Sequence, residues 1–164
     1  KWFRAAVDAG HVYSTVGFAR AKYKRGHKYR AYKLMNSLIS DHTPSGWMYQ
    51  ERSLYCNGKE KLMDLSTATE LDPTLSYPYK YRSVSMVEEE DKLEAAISEI
   101  NKTFGFKVSP DFFELRFWFL ISLEDFEAVL SDSSALLTST PHYTFSHGQI
   151  QADLLVYLLL HLLH

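Results

Sequence analysis

The sequence predicts an all-α fold, a tetratricopeptide-type antiparallel helix-pair solenoid, on three observations. The first is a helix–turn–helix outline. Gly46-Trp47-Met48-Tyr49-Gln50-Glu51-Arg52-Ser53-Leu54-Tyr55-Cys56-Asn57 reads as one helix and Gly58 as a turn. A second helix ends at Ala68-Thr69-Glu70-Leu71-Asp72-Pro73. The second observation is recurrence. Trp47 has an aromatic counterpart 34 residues earlier at Tyr13, 32 later at Tyr79 and 34 beyond that at Phe113. A helix-pair unit of about 34 residues has this period. The third is punctuation. Pro44, Pro73, Pro110 and Pro141 each fall at the end of a unit, because proline cannot continue a helix and drives its predecessor out of the helical region.

Small residues support the register. Ala31, Ala96 and Ala128 fall at the crowded positions of the second helices, where Leu62-Met63 stand in the second unit, and a small residue, Ala68, sits near the end of that unit's second helix. The pattern is degenerate elsewhere. Gly17 follows Tyr13 by four, but Glu51, Ser83 and Phe117 hold the corresponding places. Asp132 stands where an apolar residue is expected after Ala128.

The elements follow in order. Residues 1–9 read as the tail of a preceding helix stopped by Gly10. Repeat 1 spans 10–44, with helices over 11–25 and 27–40 hinged at Gly26-His27. Repeat 2 spans 45–75, and Asp41 with Thr43-Pro44-Ser45 offers capping chemistry before it. Repeat 3 spans 76–109. Its first helix carries Tyr77, Tyr79 and Tyr81, Glu88-Glu89-Glu90-Asp91 reads as a turn, and its second helix runs from Lys92 to Phe104 until Gly105. Repeat 4 spans 110–141, with Leu123–Ala128 as its turn, and 142–164 reads as a partial or atypical repeat. Residues 154–164 are apolar on every side, yet eleven residues are too few to cross a bilayer, which needs ~20. A helix of that kind wants a partner, so self-association through 154–164 is expected. The chain opens with Lys1 inside a helical pattern, which reads as an internal piece of a longer protein.

Composition narrows the function classes. At 164 residues, 46% hydrophobic and 15% aromatic, the chain can bury a core and is not a disordered tail. A net charge of −2 names no partner. Seven basic residues lie between Arg20 and Lys33 without an acid, but long stems on a solvated turn explain them better than nucleic acid does. Cys56 is the single cysteine, which precludes an internal disulfide framework and fits a reducing compartment. There is no glycine-rich phosphate loop, no zinc-type spacing and no nucleophile elbow. Cys56 closes a helix, where the dipole disfavours a thiolate. His161 and His164 share a helical face, but two ligands make a poor metal site. The reading is therefore of a non-enzyme without cofactor or metal.

A helical array instead offers a face lined by its first helices. Counted from each opening aromatic, the inward candidates are Phe18, Ala21 and Lys22, then Met48, Arg52 and Tyr55. Tyr77, Lys80 and Val84 follow in the third unit, and Glu114, Trp118 and Ile121 in the fourth. Lys22, Arg52 and Lys80 supply cations, and Met48, Tyr55, Tyr77 and Trp118 supply contact area; aromatics and arginine tend to dominate interface energetics.

The wording of the sequence adds a resemblance. Gly10-His11-Val12-Tyr13-Ser14, Thr43 to Cys56, and Ala68 to Leu75 with Tyr77-Pro78-Tyr79 resemble the plant ethylene-overproducer family. Glu99-Ile100-Asn101, Gly105-Phe106-Lys107 and Glu114-Leu115-Arg116-Phe117 do so too. The resemblance covers roughly residues 10–152. It implies the repeat region of a BTB-plus-tetratricopeptide substrate adaptor of cullin-based ubiquitin ligases. Such an adaptor would bind the C-terminal region of aminocyclopropane-carboxylate synthase in the cytoplasm and so restrain ethylene biosynthesis. No BTB-like segment is visible, so the cullin contact is expected outside this chain. No nucleic acid or membrane partner is implied. The alternative is a general tetratricopeptide scaffold or chaperone-cofactor module. Residues 20–33 are more basic than the family pattern, and the Leu-rich end departs from its polar continuation.

Overall fold

A computed structural model describes residues 2–146 and residue 160; the side chains of Phe3, Glu89 and Glu90 are not described. Among the described residues there are eight α-helices. They are α1 (Trp2–Lys24), α2 (Lys28–Asp41), α3 (Gly46–Ser53), α4 (Gly58–Leu71), α5 (Ser76–Glu90), α6 (Leu93–Asn101), α7 (Pro110–Ser122) and α8 (Phe126–Ser139). Consecutive helices pack on one another, α1 on α2, α3 on α4 and α7 on α8, with α2–α3 and α6–α7 contacts linking pairs. The fold is all-α, built of tetratricopeptide-type helix pairs. No described helix is long and apolar enough to cross a membrane. The expected apolar terminal stretch, 154–164, and His161 and His164 lie outside the described residues.

Three expectations about the elements need correction. Gly10 does not stop a helix: α1 runs through it without a break. Glycine inside a helix costs only about 1 kcal/mol, and no αL residue or proline accompanies Gly10 to turn the chain. The acidic run Glu88–Glu90 is the last turn of α5, not a loop. The turn is Asp91, at φ +49°, and the Lys92 N–H reaches back to the Met86 carbonyl at 3.0 Å. Ser45 stands at the N-cap of α3, but its hydroxyl makes no capping bond and is buried without a partner.

The α1–α2 and α7–α8 turns share one device. Gly26, at φ +83°, lets the His27 N–H reach the Lys22 carbonyl at 2.9 Å. Glu124, at φ +61°, lets the Asp125 N–H reach the Leu120 carbonyl at 3.1 Å. Both close carbonyls left unpaired at the helix end. Asp125 then caps α8, accepting the Ala128 N–H at 3.2 Å. Pro110 opens α7 at its first turn, where its missing N–H costs nothing.

The chain divides into two compact units, residues 1–78 and 79–164. In the first, Val16, Ala31, Met35, Leu38 and Met48 form a buried cluster with Tyr55. Trp47 is half-buried at the edge of that cluster and stacks on Tyr13, ring centroids 6.2 Å apart and 11° from parallel. At Gly46, α3 lies tightly against the end of α4. A Cβ there would lie 2.5 Å from the Ala68 carbonyl oxygen and 2.9 Å from the Asp72 Cβ. In the second unit Phe117, Leu120, Val129, Leu136 and Phe145 are buried together. Each such side chain contributes about 1.5–3 kcal/mol by leaving water. The places four residues after the repeat aromatics are buried as the register requires, at Glu51, Ser83 and Phe117. Gly17, the one glycine at that position, faces open space.

Candidate functional site

One arginine recurs on the first helix of each pair, Arg20, Arg52, Arg82 and Arg116, and each of these four is committed to a carboxylate. Arg52, on α3, holds Asp64 of α4 with two bonds of 2.9 and 2.6 Å and reaches Asn36 of α2 at 2.6 Å. Its guanidinium lies over the rings of Tyr32 and Tyr49, at 5.5 and 5.2 Å. Arg116 repeats the arrangement on α7. It holds Asp132 of α8 with two bonds of 2.6 Å, reaches Asn101 of α6 at 2.8 Å, and lies over Phe104 at 4.0 Å. Arg82 donates to Glu99 at 2.8 Å and lies over Tyr79. Arg20 reaches Glu51 of α3 at 2.7 and 2.9 Å. The planar fork of arginine matches a carboxylate in this way, and an ammonium does not. Asp132, out of place for an apolar position, is explained by Arg116.

These pairs alter what the candidate residues can do. Arg52 is not available to a ligand: the bond from Arg52 to Asp64 raises the guanidinium's pKa despite burial. Met48 is a core residue, 6% exposed; Tyr55 is 4% exposed yet lines a cavity of about 410 Å³ with Lys28, Tyr29, Tyr32, Asn57 and Glu60. The Tyr55 hydroxyl donates to Glu51 at 2.9 Å, and burial followed by that bond pushes its pKa up. Burial pushes Glu51 up, but the bonds from Arg20 and Tyr55 outweigh it and hold the carboxyl below its usual value. Cys56 is buried, its thiol 3.7 Å from Asp64 Oδ2. Burial first, and that carboxylate second, push the thiol up to about 11.

The remaining candidates separate into two places. In the first unit, Phe18 and Ala21 are exposed. Lys22 lies 6.0 Å from the Phe18 ring and shares with Ser14, Gly17 and Arg25 a shallow furrow of about 490 Å³ along α1. Tyr77 is half-buried with the Lys61 ammonium 5.9 Å from its ring.

In the second unit Lys80 and Val84 of α5 meet Asp111, Glu114, Leu115 and Trp118 of α7, with Ser146, around a cleft of about 230 Å³. Thus Lys80, Val84, Glu114 and Trp118 are brought together, while Ile121 packs into the core. Glu114 is buried and serves the segment after α8. It accepts from the Tyr143 hydroxyl, from the Ser146 N–H at 2.8 Å and from the Ser146 hydroxyl at 3.0 Å. Burial raises its pKa, but those bonds outweigh burial and hold it below the ordinary range. Phe145 is driven into the core beside Phe117 and Trp118, centroids 4.7 and 5.7 Å away. The Lys80 ammonium makes no ion pair among the described residues.

Sequence reading missed Asp111, Leu115 and Ser146 as cleft residues. The spacing 111, 114, 115, 118 marks one helical face and was available as a signal; nothing in the sequence announced Ser146. The arginine period, at intervals of 32, 30 and 34, was likewise visible. Among the described residues no three His, Cys, Asp or Glu side chains gather as a metal site.

Comparison with known proteins places this architecture. The chain is 58% identical over 159 residues to ethylene-overproduction protein 1 of Arabidopsis thaliana, covering 97% of this chain and 17% of that protein. It is 53% identical over 152 residues to ETO1-like protein 2 of the same plant, covering 93% of the chain and 16% of the relative. With ETO1-like protein 1 the identity is 46% over 159 residues, covering 94% and 18%. The chain spans less than a fifth of the length of these relatives. The profile of the ETO1 C-terminal domain matches residues 2–148, and the chain belongs to the ETO1 C-terminal domain family.

Proposed function

We propose that this domain is a non-catalytic protein-binding module of a cytoplasmic ubiquitin-ligase substrate adaptor. Its target is the C-terminal region of aminocyclopropane-carboxylate synthase, and its effect is to restrain ethylene biosynthesis. The observation that carries the reading is family membership over residues 2–148, with a relative named for ethylene overproduction. The helix-pair fold agrees with it, since such pairs present side chains for binding other proteins. The cullin contact belongs to parts of the protein beyond this chain. Within it, the accessible candidates are Lys22, Tyr77, Lys80 and Trp118. Met48 and Tyr55 belong to the core of the first unit, and Arg52 is held by Asp64.

The test is calorimetric titration of the chain with the synthase's C-terminal tail. Saturable binding, lost when the tail is scrambled, is the expected result. Equal binding of unrelated C-terminal tails would favour a general scaffold instead. Absence of binding, both by this chain and by the whole protein that contains it, would refute the reading.

A further inference from the structure

The four recurrent arginines, Arg20, Arg52, Arg82 and Arg116, are each bound to a carboxylate, whereas Lys80 keeps an unpaired ammonium among the described residues, on the rim of a cleft. The walls beside it are apolar: Val84, Leu115 and the half-buried indole of Trp118. The floor is a carboxylate already satisfied. Glu114 accepts three hydrogen bonds from Tyr143 and Ser146, so it asks nothing of a ligand. Asp111 is exposed on the α7 side of the cleft. A volume of about 230 Å³ admits one large side chain. All seven lining residues belong to the second unit.

We propose that this cleft is a subsite for an acidic–apolar peptide segment. A ligand carboxylate sits at Lys80, and the neighbouring apolar side chain lies against Val84, Leu115 and Trp118. Charge complementarity orients the occupant, because Lys80 is the one cation among the described lining residues and stands beside the apolar wall, while the exposed carboxylate of Asp111 stands on the α7 side. Asp111 gives direction: a peptide N–H or cation belongs at its end, and an acid there is repelled. Most of the affinity comes from the apolar side chain against the indole, and the ion pair sets preference. The proposal rests on the protein-binding reading and names the chemistry of its ligand.

The experiment uses two capped heptapeptides, Gly-Ser-Asp-Phe-Ser-Gly-Gly and its Asn counterpart, titrated into the ¹⁵N-labelled chain. The expected result is movement of the Trp118 indole N–H signal and of the Lys80, Val84 and Leu115 amides. The Asp peptide should bind about fivefold tighter, the upper end for a solvent-facing ion pair. Lys80→Gln should bring the two peptides to equal affinity without weakening the Asn peptide. Val84→Arg should abolish both titrations. Unmoved signals at millimolar peptide, or an Asp preference that survives Lys80→Gln, would overturn the subsite. The synthase tail tells the two claims apart. If it binds wild type and both variants alike, the adaptor reading stands and this subsite falls. If the heptapeptides behave as expected and the tail does not bind, the subsite stands alone.

Discussion

Gly46 and Gly17 should respond to the same substitution with opposite signs. Both are helical glycines, Gly46 opening α3 and Gly17 inside α1. An alanine Cβ at 46 would lie 2.5 Å from the Ala68 carbonyl oxygen, 2.9 Å from the Asp72 Cβ and 3.1 Å from a Leu75 methyl. The first two belong to or adjoin backbone and cannot swing away as a side-chain tip can. Relief needs α3 to move off α4, which loosens the contacts of Met48 with its cluster. Overpacking of that kind costs about 1–3 kcal/mol, more than the few tenths to 1 kcal/mol that alanine returns by stiffening the unfolded chain. At position 17 the new Cβ meets nothing within 4 Å, so only the gain remains, about 0.5–1 kcal/mol.

For a unit of this size 1 kcal/mol corresponds to roughly 4–8 °C in melting temperature. Gly46→Ala should therefore melt about 5–20 °C below wild type and Gly17→Ala a few degrees above it. Circular dichroism at 222 nm, with urea midpoints as a second measure, reads both. A Gly46→Ala variant as stable as wild type would refute the close approach of α3 and α4. Destabilisation by Gly17→Ala would show that the outward face of α1 is not open.

Other outcomes follow from the same geometry. Glu124→Gly should raise stability by about 1 kcal/mol, because a non-glycine residue is strained at φ +61°; chemical denaturation checks it. Acid should destabilise the fold. Glu51 and Glu114 have folded pKa values below the ordinary 4.5, so their contribution is complete above that value and is lost as pH falls through the lower folded ones. Melting temperature against pH should drop below about pH 4.5, and less so in Glu114→Gln. Cys56, its thiol pushed up to about 11, should resist alkylation at pH 8 until urea unfolds the first unit. Arg116→Met alone should cost about 2–3 kcal/mol by leaving Asp132 unpaired, the discount reflecting its partial exposure, whereas Arg116→Met with Asp132→Leu should recover much of that.

The helix pairs were legible because they rest on local signals: aromatic period, small residues and proline at helix ends. Ala31 and Ala96 are wholly buried, as is Ala68, whereas Ala128 is half-buried. Boundaries failed where the signal was ambiguous. Glycine 10 lacks the left-handed geometry that ends a helix, whereas Gly26 has it, and sequence does not show φ. Glu88–Glu90 look like loop by charge, yet charge is compatible with a solvated last turn. The site was less legible. Met48 lies on α3 and Tyr55 in the turn that follows it, and which side of a short, eight-residue helix meets its neighbours depends on packing from two directions. The strap from Tyr143 to Ser146 is a tertiary event, with no local pattern to announce that Phe145 enters the core or that Ser146 meets Glu114.

Side-chain geometry explains why Arg52, read from sequence as a groove cation, is instead engaged within the fold. Arginine and lysine both count as cations in a pattern, but their geometries lead them to different tasks. Arginine's fork fits a carboxylate with two parallel bonds and its plane stacks on an aromatic ring, so at Arg52 and Arg116 one side chain ties three helices together. A buried pair of this sort stabilises little on net but is costly to break, which fixes the register of one helix pair against the next. Lysine, a hydrated point charge on a flexible stem, gains little from such a place and stays at the surface. The recurrent arginine is thus the fastening of the repeat, and the subsite proposed at Lys80 lies beside an apolar wall on helices fastened in this way.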